Sequence, residues 1–143
     1  MLKALAIAAL LAPTVASADP DRVYLLAGSK HLGTTAEFNE VNPGVFLTWE
    51  LEYVDVSVGT YLNSYSKQSY AASVAYPLLR GEGWSIDAFA GVATYYGTTN
   101  PDIVPMAGLQ ARYGNLFAQY IPVPGGQHIS GLLSFGMTFQ LGD

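Results

Sequence analysis

The sequence predicts an all-β chain, an eight-stranded antiparallel up-and-down transmembrane β-barrel of the outer-membrane type, behind an N-terminal leader. Three observations predict it. The leader is read from Met1-Leu2-Lys3, the short apolar run Ala4 to Leu11 and the small residues Val15-Ala16-Ser17-Ala18, which together form a Sec-type signal peptide over residues 1–18. Next, the 143 residues are 50% hydrophobic and only 12% charged, roughly half the charge of an ordinary soluble domain, yet no mature segment has the apolar length of a transmembrane helix. Finally, the remaining chain, 19–143, divides into eight segments in which apolar and polar or small residues alternate, the pattern of strands that face lipid on one side and a lumen on the other.

In order, the first strand is Arg22 to Ser29, followed by a polar loop from Lys30 to Glu40. The second is Gly44 to Glu52, with Val45, Leu47, Trp49 and Leu51 on one face, and a tight turn at Glu52-Tyr53 leads to the third. That third strand opens with Val54, Val56 and Val58 against Asp55, Ser57 and Gly59, then runs into the polar stretch Asn63-Ser64-Tyr65. Gln68 to Leu78 is the fourth strand, turned by Leu79 to Gly83. Trp84 to Tyr96 is the fifth, Gly97 to Pro101 a loop, and Asp102 to Tyr113 the sixth. Gly114-Asn115 turns the chain into the seventh, Leu116 to Val123, and Pro124-Gly125-Gly126 turns it again. The last, His128 to Leu141, alternates most cleanly. Its end resembles the signal read by the outer-membrane barrel assembly machinery, apart from the extra Gly142-Asp143. The even count puts both termini on one rim, and the longer connections on the other.

Ten aromatics, Tyr24, Trp49, Tyr53, Tyr65, Tyr76, Trp84, Tyr95, Tyr96, Tyr113 and Tyr120, lie mostly near strand ends, where amphipathic rings favour a membrane interface. Glycines 28, 44, 59, 91, 108 and 136 fall on the inward parity. They either leave room for a slender apolar ligand or relieve curvature in a tight barrel. The inward charges Glu50, Asp55, Asp87 and Arg112 gather at the short-turn end and are expected to form an ionic plug. A net charge of −5 and a pI near 4.7 argue against nucleic acid as a partner. With two histidines, no cysteine and no ligand spacing, no metal site and no cofactor are expected.

The order Tyr24 and His31, Phe38-Asn39-Glu40 with Pro43-Gly44, Asn63-Ser64-Tyr65 with Lys67, Pro105, Tyr120-Ile121-Pro122 and Phe139-Gln140 resembles the PagP family over nearly the whole mature chain. These are outer-membrane lipid A palmitoyltransferases, eight-stranded barrels that move an acyl chain from a phospholipid to lipid A. The resemblance implies catalytic roles for His31 and for Asn63-Ser64, where the family carries Asp-Ser. It implies lateral lipid access at Pro43, Pro105 and Pro122, and an acyl-chain pocket reaching Ala75, with Gly91 and Met106 in its wall. The implied partners are outer-membrane phospholipid and lipopolysaccharide, and the chain is expected to act as a monomer. Acyl transfer needs a hydroxyl, a base and donors for the oxyanion, and His31 and Ser64 supply the first two. Asn63 cannot supply the negative charge that stabilises a histidinium, and Glu37 and Glu40 are the nearest acids in sequence. Strict alternation points Asn63 inward and Ser64 outward, so the backbone must depart from strand geometry for Ser64 to meet His31. The alternatives are a non-catalytic structural, adhesive or lipid-binding barrel, and a soluble barrel carrying an apolar ligand.

Overall fold

Eight alternating segments become eight strands in a computed structural model that describes residues 18–96, 101–123 and 129–142, with backbone alone at Tyr95, Tyr96, Pro101 and Asp102. They are β1 (Arg22–Leu32), β2 (Val41–Glu50), β3 (Asp55–Leu62), β4 (Gln68–Gly81), β5 (Trp84–Tyr96), β6 (Pro101–Tyr113), β7 (Leu116–Pro122) and β8 (Gly131–Gln140). Each strand pairs antiparallel with its sequence neighbours, and β1 pairs with β8 from Arg22↔Gln140 to Leu32↔Gly131, closing the barrel. Closure gives every strand two neighbours, while toward the long-loop rim the β1–β2 and β6–β7 ladders lapse among the described residues. The expected leader lies outside the described residues, apart from Ala18, as do the loop at 97–100 and the turn at 124–126.

Four boundaries differ from the sequence reading by three residues, the others by one or two. β1 continues through Lys30 and His31 to Leu32 because β8 offers it a partner as far as Gly131. Its other edge loses β2 beyond Gly28, where a register shift sets Ala27 against Asn42 and Pro43. β2 therefore starts at Val41 and carries Pro43 inside it, at a bulge, where a missing N–H costs no regular ladder bond. β4 runs on to Gly81, and Glu82-Gly83 alone makes the turn, with Gly83 at φ 75°. β8 begins at Gly131, not at His128, which lies outside the described residues.

Alternation divides inside from outside as expected, except that the irregularity at Ala27 inverts the rest of β1, so that Gly28, expected inward, lies opposite outward Phe135 and His31 opposite inward Leu132. Leu25, Val45, Leu47, Val58, Val92, Ile103, Leu109, Leu133, Phe135 and Met137 stand exposed on the outer face. Tyr53, Tyr76, Trp84 and Tyr113 are exposed toward the short-turn rim, and Tyr65 and Tyr70 toward the long-loop rim. Tyr24 departs from the expected girdle: it is 7% exposed and points inward, its ring edge-on to Phe117 at 5.0 Å. Its hydroxyl accepts from Gln110 Nε2 at 3.3 Å, and Gln119 Nε2 donates in turn to Gln110 Oε1 at 2.7 Å.

The lower interior is polar and partly paired, with Asp87 Oδ1 and Arg112 Nε buried without a hydrogen bond among the described residues. Arg22 Nε meets Glu50 Oε1 at 2.8 Å while its other nitrogens reach Thr138 and Gln140. Arg80 meets Asp55 at 3.3 Å, and the Ser85 hydroxyl donates to buried Asp87 at 2.9 Å. These contacts tie β1, β2, β8, β3 and β4 together under the cavity, where an unpaired charge would be costly.

Candidate functional site

The long-loop rim brings together residues that the alternation rule alone would keep apart. β3 ends at Leu62, and Asn63 to Lys67 form a closed turn: Asn63 N–H donates to Lys67 O at 2.8 Å and Ser66 N–H to Asn63 O at 2.9 Å. The Asn63 side chain caps this turn from within. Its Oδ1 accepts from Tyr65 N–H at 2.9 Å and Lys67 N–H at 3.0 Å, and its Nδ2 donates to Ser69 Oγ at 3.0 Å. Ser66 takes φ 58°, a left-handed conformation that a non-glycine residue holds only when its surroundings impose it. The turn releases Ser64 from strand parity and aims its hydroxyl across the rim.

His31, on the inward face of β1, receives it. Ser64 Oγ lies 3.0 Å from His31 Nε2. The imidazole is only 6% exposed and stacks on Phe38 with centroids 4.2 Å apart and planes 16° from parallel. Phe38 in turn stands edge-on to Tyr65 at 6.0 Å. On the far side of the ring, Glu40 Oε1 lies 3.9 Å from His31 Nδ1 and accepts the His31 backbone N–H at 3.3 Å, while Lys30 Nζ holds Oε2 at 3.0 Å. The Lys30 hydrogen bond, then the His31 backbone donor, keep the Glu40 carboxyl below the usual carboxylate range, so it is ionised at neutral pH.

Asn42 joins these pieces, and nothing in the sequence singled it out. It is almost fully buried, accepts the Ser29 hydroxyl at 2.5 Å and donates to Leu62 O at 3.0 Å and Asn39 O at 3.2 Å. Asn39 N–H donates to Ser64 O at 3.0 Å. One segment, 38–42, thus positions the stacking ring, the acid and both strand ends. The signal that could have found Asn42 is its inward parity with Gly44, Phe46 and Thr48 at the rim of an otherwise apolar upper lumen.

Below the pair lies a cavity of about 90 Å³. Its upper wall includes Leu132, the cross-strand neighbour of His31, together with Tyr61 and Ile121; its floor includes Asp55, Ala75 and Gln110. Ala75 and Met106 both line it. Gly91 sits between Ser73 and Met106 in the ladder, and a Cβ there would overlap the Ala72 carbonyl oxygen and meet Ser73 Cβ at 2.7 Å. At this position glycine permits close approach of two strands.

The three prolines fall at irregular ladders. Pro43 occupies the β1–β2 bulge, exposed on the outer face. Pro105 pairs with Val92 on its β5 side, but the β6–β7 ladder ends at Leu109↔Tyr120, so 105–108 have no β7 partner among the described residues. Ile121 and Pro122 pair with β8 and not with β6. Among the described residues no group of three His, Cys, Asp or Glu is arranged to hold a metal ion.

No protein-family model matches the chain, and no curated protein matches it.

The contacts of Asn63 define what an amide or a carboxylate would do at this position. Asn63→Asp is expected to keep both turn caps, its second oxygen accepting from Ser69, and to change stability by less than about 1 kcal/mol. Asn63→Ala strands the two backbone donors and is expected to cost about 1–3 kcal/mol. Urea unfolding of the two variants in detergent micelles measures the difference.

Proposed function

We propose that this chain is an exported outer-membrane enzyme that transfers a fatty acyl chain from a phospholipid to lipid A or a related glycolipid. The observation that carries the reading is the Ser64 hydroxyl bonded to a buried His31 imidazole, whose cross-strand neighbour Leu132 lines the barrel cavity. A hydroxyl paired with an imidazole is the minimum equipment for moving an acyl group, because the base removes a proton as the carbonyl is attacked. The cavity wall carries Leu26, Phe46, Ala71, Phe89, Met106 and Ile121 beside the polar Thr48, Ser57, Ser73 and Gln110, and its apolar part suits an acyl tail.

The membrane location is supported by the apolar outer face between two sets of exposed aromatics, which in water would be an aggregation surface. The residues of the leader and of the β8 end support export and assembly by the outer-membrane machinery. The ladder gaps beside Pro105, Pro122 and Pro43 support lateral entry of a lipid, since a wall without its hydrogen bonds opens at lower cost.

The test is mass spectrometry of lipid A from Gram-negative cells expressing the chain. An added acyl mass is expected, and a folded wild-type barrel that adds none would favour a non-catalytic outer-membrane barrel instead. Chain length offers a second check. Ala75→Met raises the cavity floor, and the longest chain transferred is expected to shorten by roughly three methylenes, the heavy atoms that Met adds. Donor phospholipids of graded acyl length measure it.

A further inference from the structure

Acyl transfer between two lipids can run directly, the acceptor hydroxyl attacking the donor ester, or through an ester formed on the protein. We propose that Ser64 is a covalent nucleophile served by His31 as proton shuttle and by Glu40 as the positioning acid, a Ser–His–Glu relay whose first product is an acyl-Ser64 ester. The proposal rests on reading this site as one for acyl transfer, and it adds the route and the source of the missing negative charge.

Three features carry it. The Ser64 hydroxyl meets one ring nitrogen of His31 at 3.0 Å, which leaves the opposite nitrogen to set the tautomer. That opposite nitrogen, Nδ1, is buried and makes no hydrogen bond among the described residues, an unusual state for a buried polar atom. The group nearest to answering it is the Glu40 carboxylate at 3.9 Å, tethered on one side by the His31 backbone N–H and on the other by Lys30. A small rotation of the Glu40 side chain converts that approach into an Nδ1–H···O bond and leaves Nε2 free to accept the serine proton. Phe38 holds the ring plane while this happens. Asn63 cannot take the acid's place, because its Oδ1 is committed to the turn and its Nδ2 to Ser69 at the start of β4.

In the first half-reaction Ser64 Oγ attacks the carbonyl carbon of a phospholipid acyl ester as its proton passes to His31 Nε2. The tetrahedral adduct collapses, the ester C–O bond to the lysophospholipid breaks, and the departing oxygen takes the proton from Nε2. In the second, an acceptor hydroxyl gives its proton to Nε2 and attacks acyl-Ser64. The bond from Oγ to the acyl carbon breaks and Oγ recovers the proton. Nothing is oxidised or reduced. Water in place of the acceptor releases a free fatty acid, so slow phospholipase activity is part of the expectation. The Glu40 charge offsets the imidazolium formed in both halves.

The full-length barrel in detergent micelles, treated with an alkyl fluorophosphonate, is expected to be labelled at Ser64, and S64A to be unlabelled. E40Q keeps the side-chain shape but not the charge. It is expected to slow labelling on the order of 10²-fold and to lower kcat for phospholipid cleavage with KM unchanged, while E40D recovers part of the rate. A wild-type barrel that acylates lipid A without labelling at Ser64 would overturn the covalent route and leave the acyl-transfer reading standing. E40Q labelled at the wild-type rate would remove Glu40 from the relay. Ser64 labelled in a barrel that adds no mass to lipid A upholds the relay and overturns lipid A as acceptor.

Discussion

Ser64→Ala is expected to abolish the added acyl mass on lipid A, lowering transfer by roughly 10³-fold or more, while the barrel still folds. The side chain makes one bond that matters to the site, the 3.0 Å contact with His31 Nε2. Its backbone carbonyl keeps the Asn39 N–H at 3.0 Å, and the turn around it is held by Asn63 and by main-chain bonds that alanine does not disturb. The stability cost is therefore about 1 kcal/mol, the loss of one partly buried hydrogen bond. Activity and folding come apart in this variant, which makes it diagnostic. Lipid mass spectrometry reads the first and heat-modifiable migration on a gel the second. A folded alanine variant that acylates at the wild-type rate would falsify the assignment of Ser64 to the chemistry.

Gly136→Val is expected to have the opposite profile, losing the fold itself. Gly136 sits on β8 at the closing seam, opposite Leu26 of β1 and Phe117 of β7. A Cβ there would overlap the Leu25 carbonyl oxygen and come within 2.8 Å of Phe117 Cε1. Phe117 could yield only by giving up its edge-on contact with Tyr24 and turning into the cavity it lines, and the Leu25 carbonyl, being backbone, cannot yield by a side-chain rotation at all. Relief would have to come from widening the β1–β8 ladder, the pairing that turns a sheet into a barrel. Overpacking of this kind is expected to cost about 3 kcal/mol or more, with the branched Val worse than Ala. Urea unfolding in micelles measures it, and a Val variant as stable as the wild type would show that the seam can open without penalty.

Much of the fold was legible because alternation is a local property. Val45, Leu47 and Trp49 against Phe46, Thr48 and Glu50 specify a two-sided strand whatever lies beside it, and the register of neighbouring strands follows from keeping the apolar set on one side. Gly83 and Gly114, both at positive φ, mark short turns that their residue types announce. The strand ends were less legible. Leu32 and Val41 end their strands where they do because of what β8 and the β1–β2 bulge offer across the ladder, and partners are not written in the strand's own residues. The inward glycines illustrate the same limit. Their parity could be read directly except at Gly28, which the irregularity at Ala27 sets opposite outward Phe135, but the sequence left open whether they make room or let strands approach, and Gly91 and Gly136 stand against neighbouring backbone.

For the site, His31, Asn63 and Ser64 were within reach of the sequence as residue types on one rim, and Glu40 as one of two nearby acids. What the residues determined alone is an alternating, closed-barrel pattern with a polar, histidine- and serine-bearing rim, because side-chain polarity and strand parity are carried by each segment independently. The tertiary structure alone decided that β3 stops at Leu62, that the Asn63 side chain spends its bonds on the turn and on Ser69, and that Ser64 thereby escapes parity to meet His31 at 3.0 Å with Glu40 behind the ring. The reason is that these are contacts between strands held side by side only when the barrel closes, and distances of that kind depend on where every other strand has been placed.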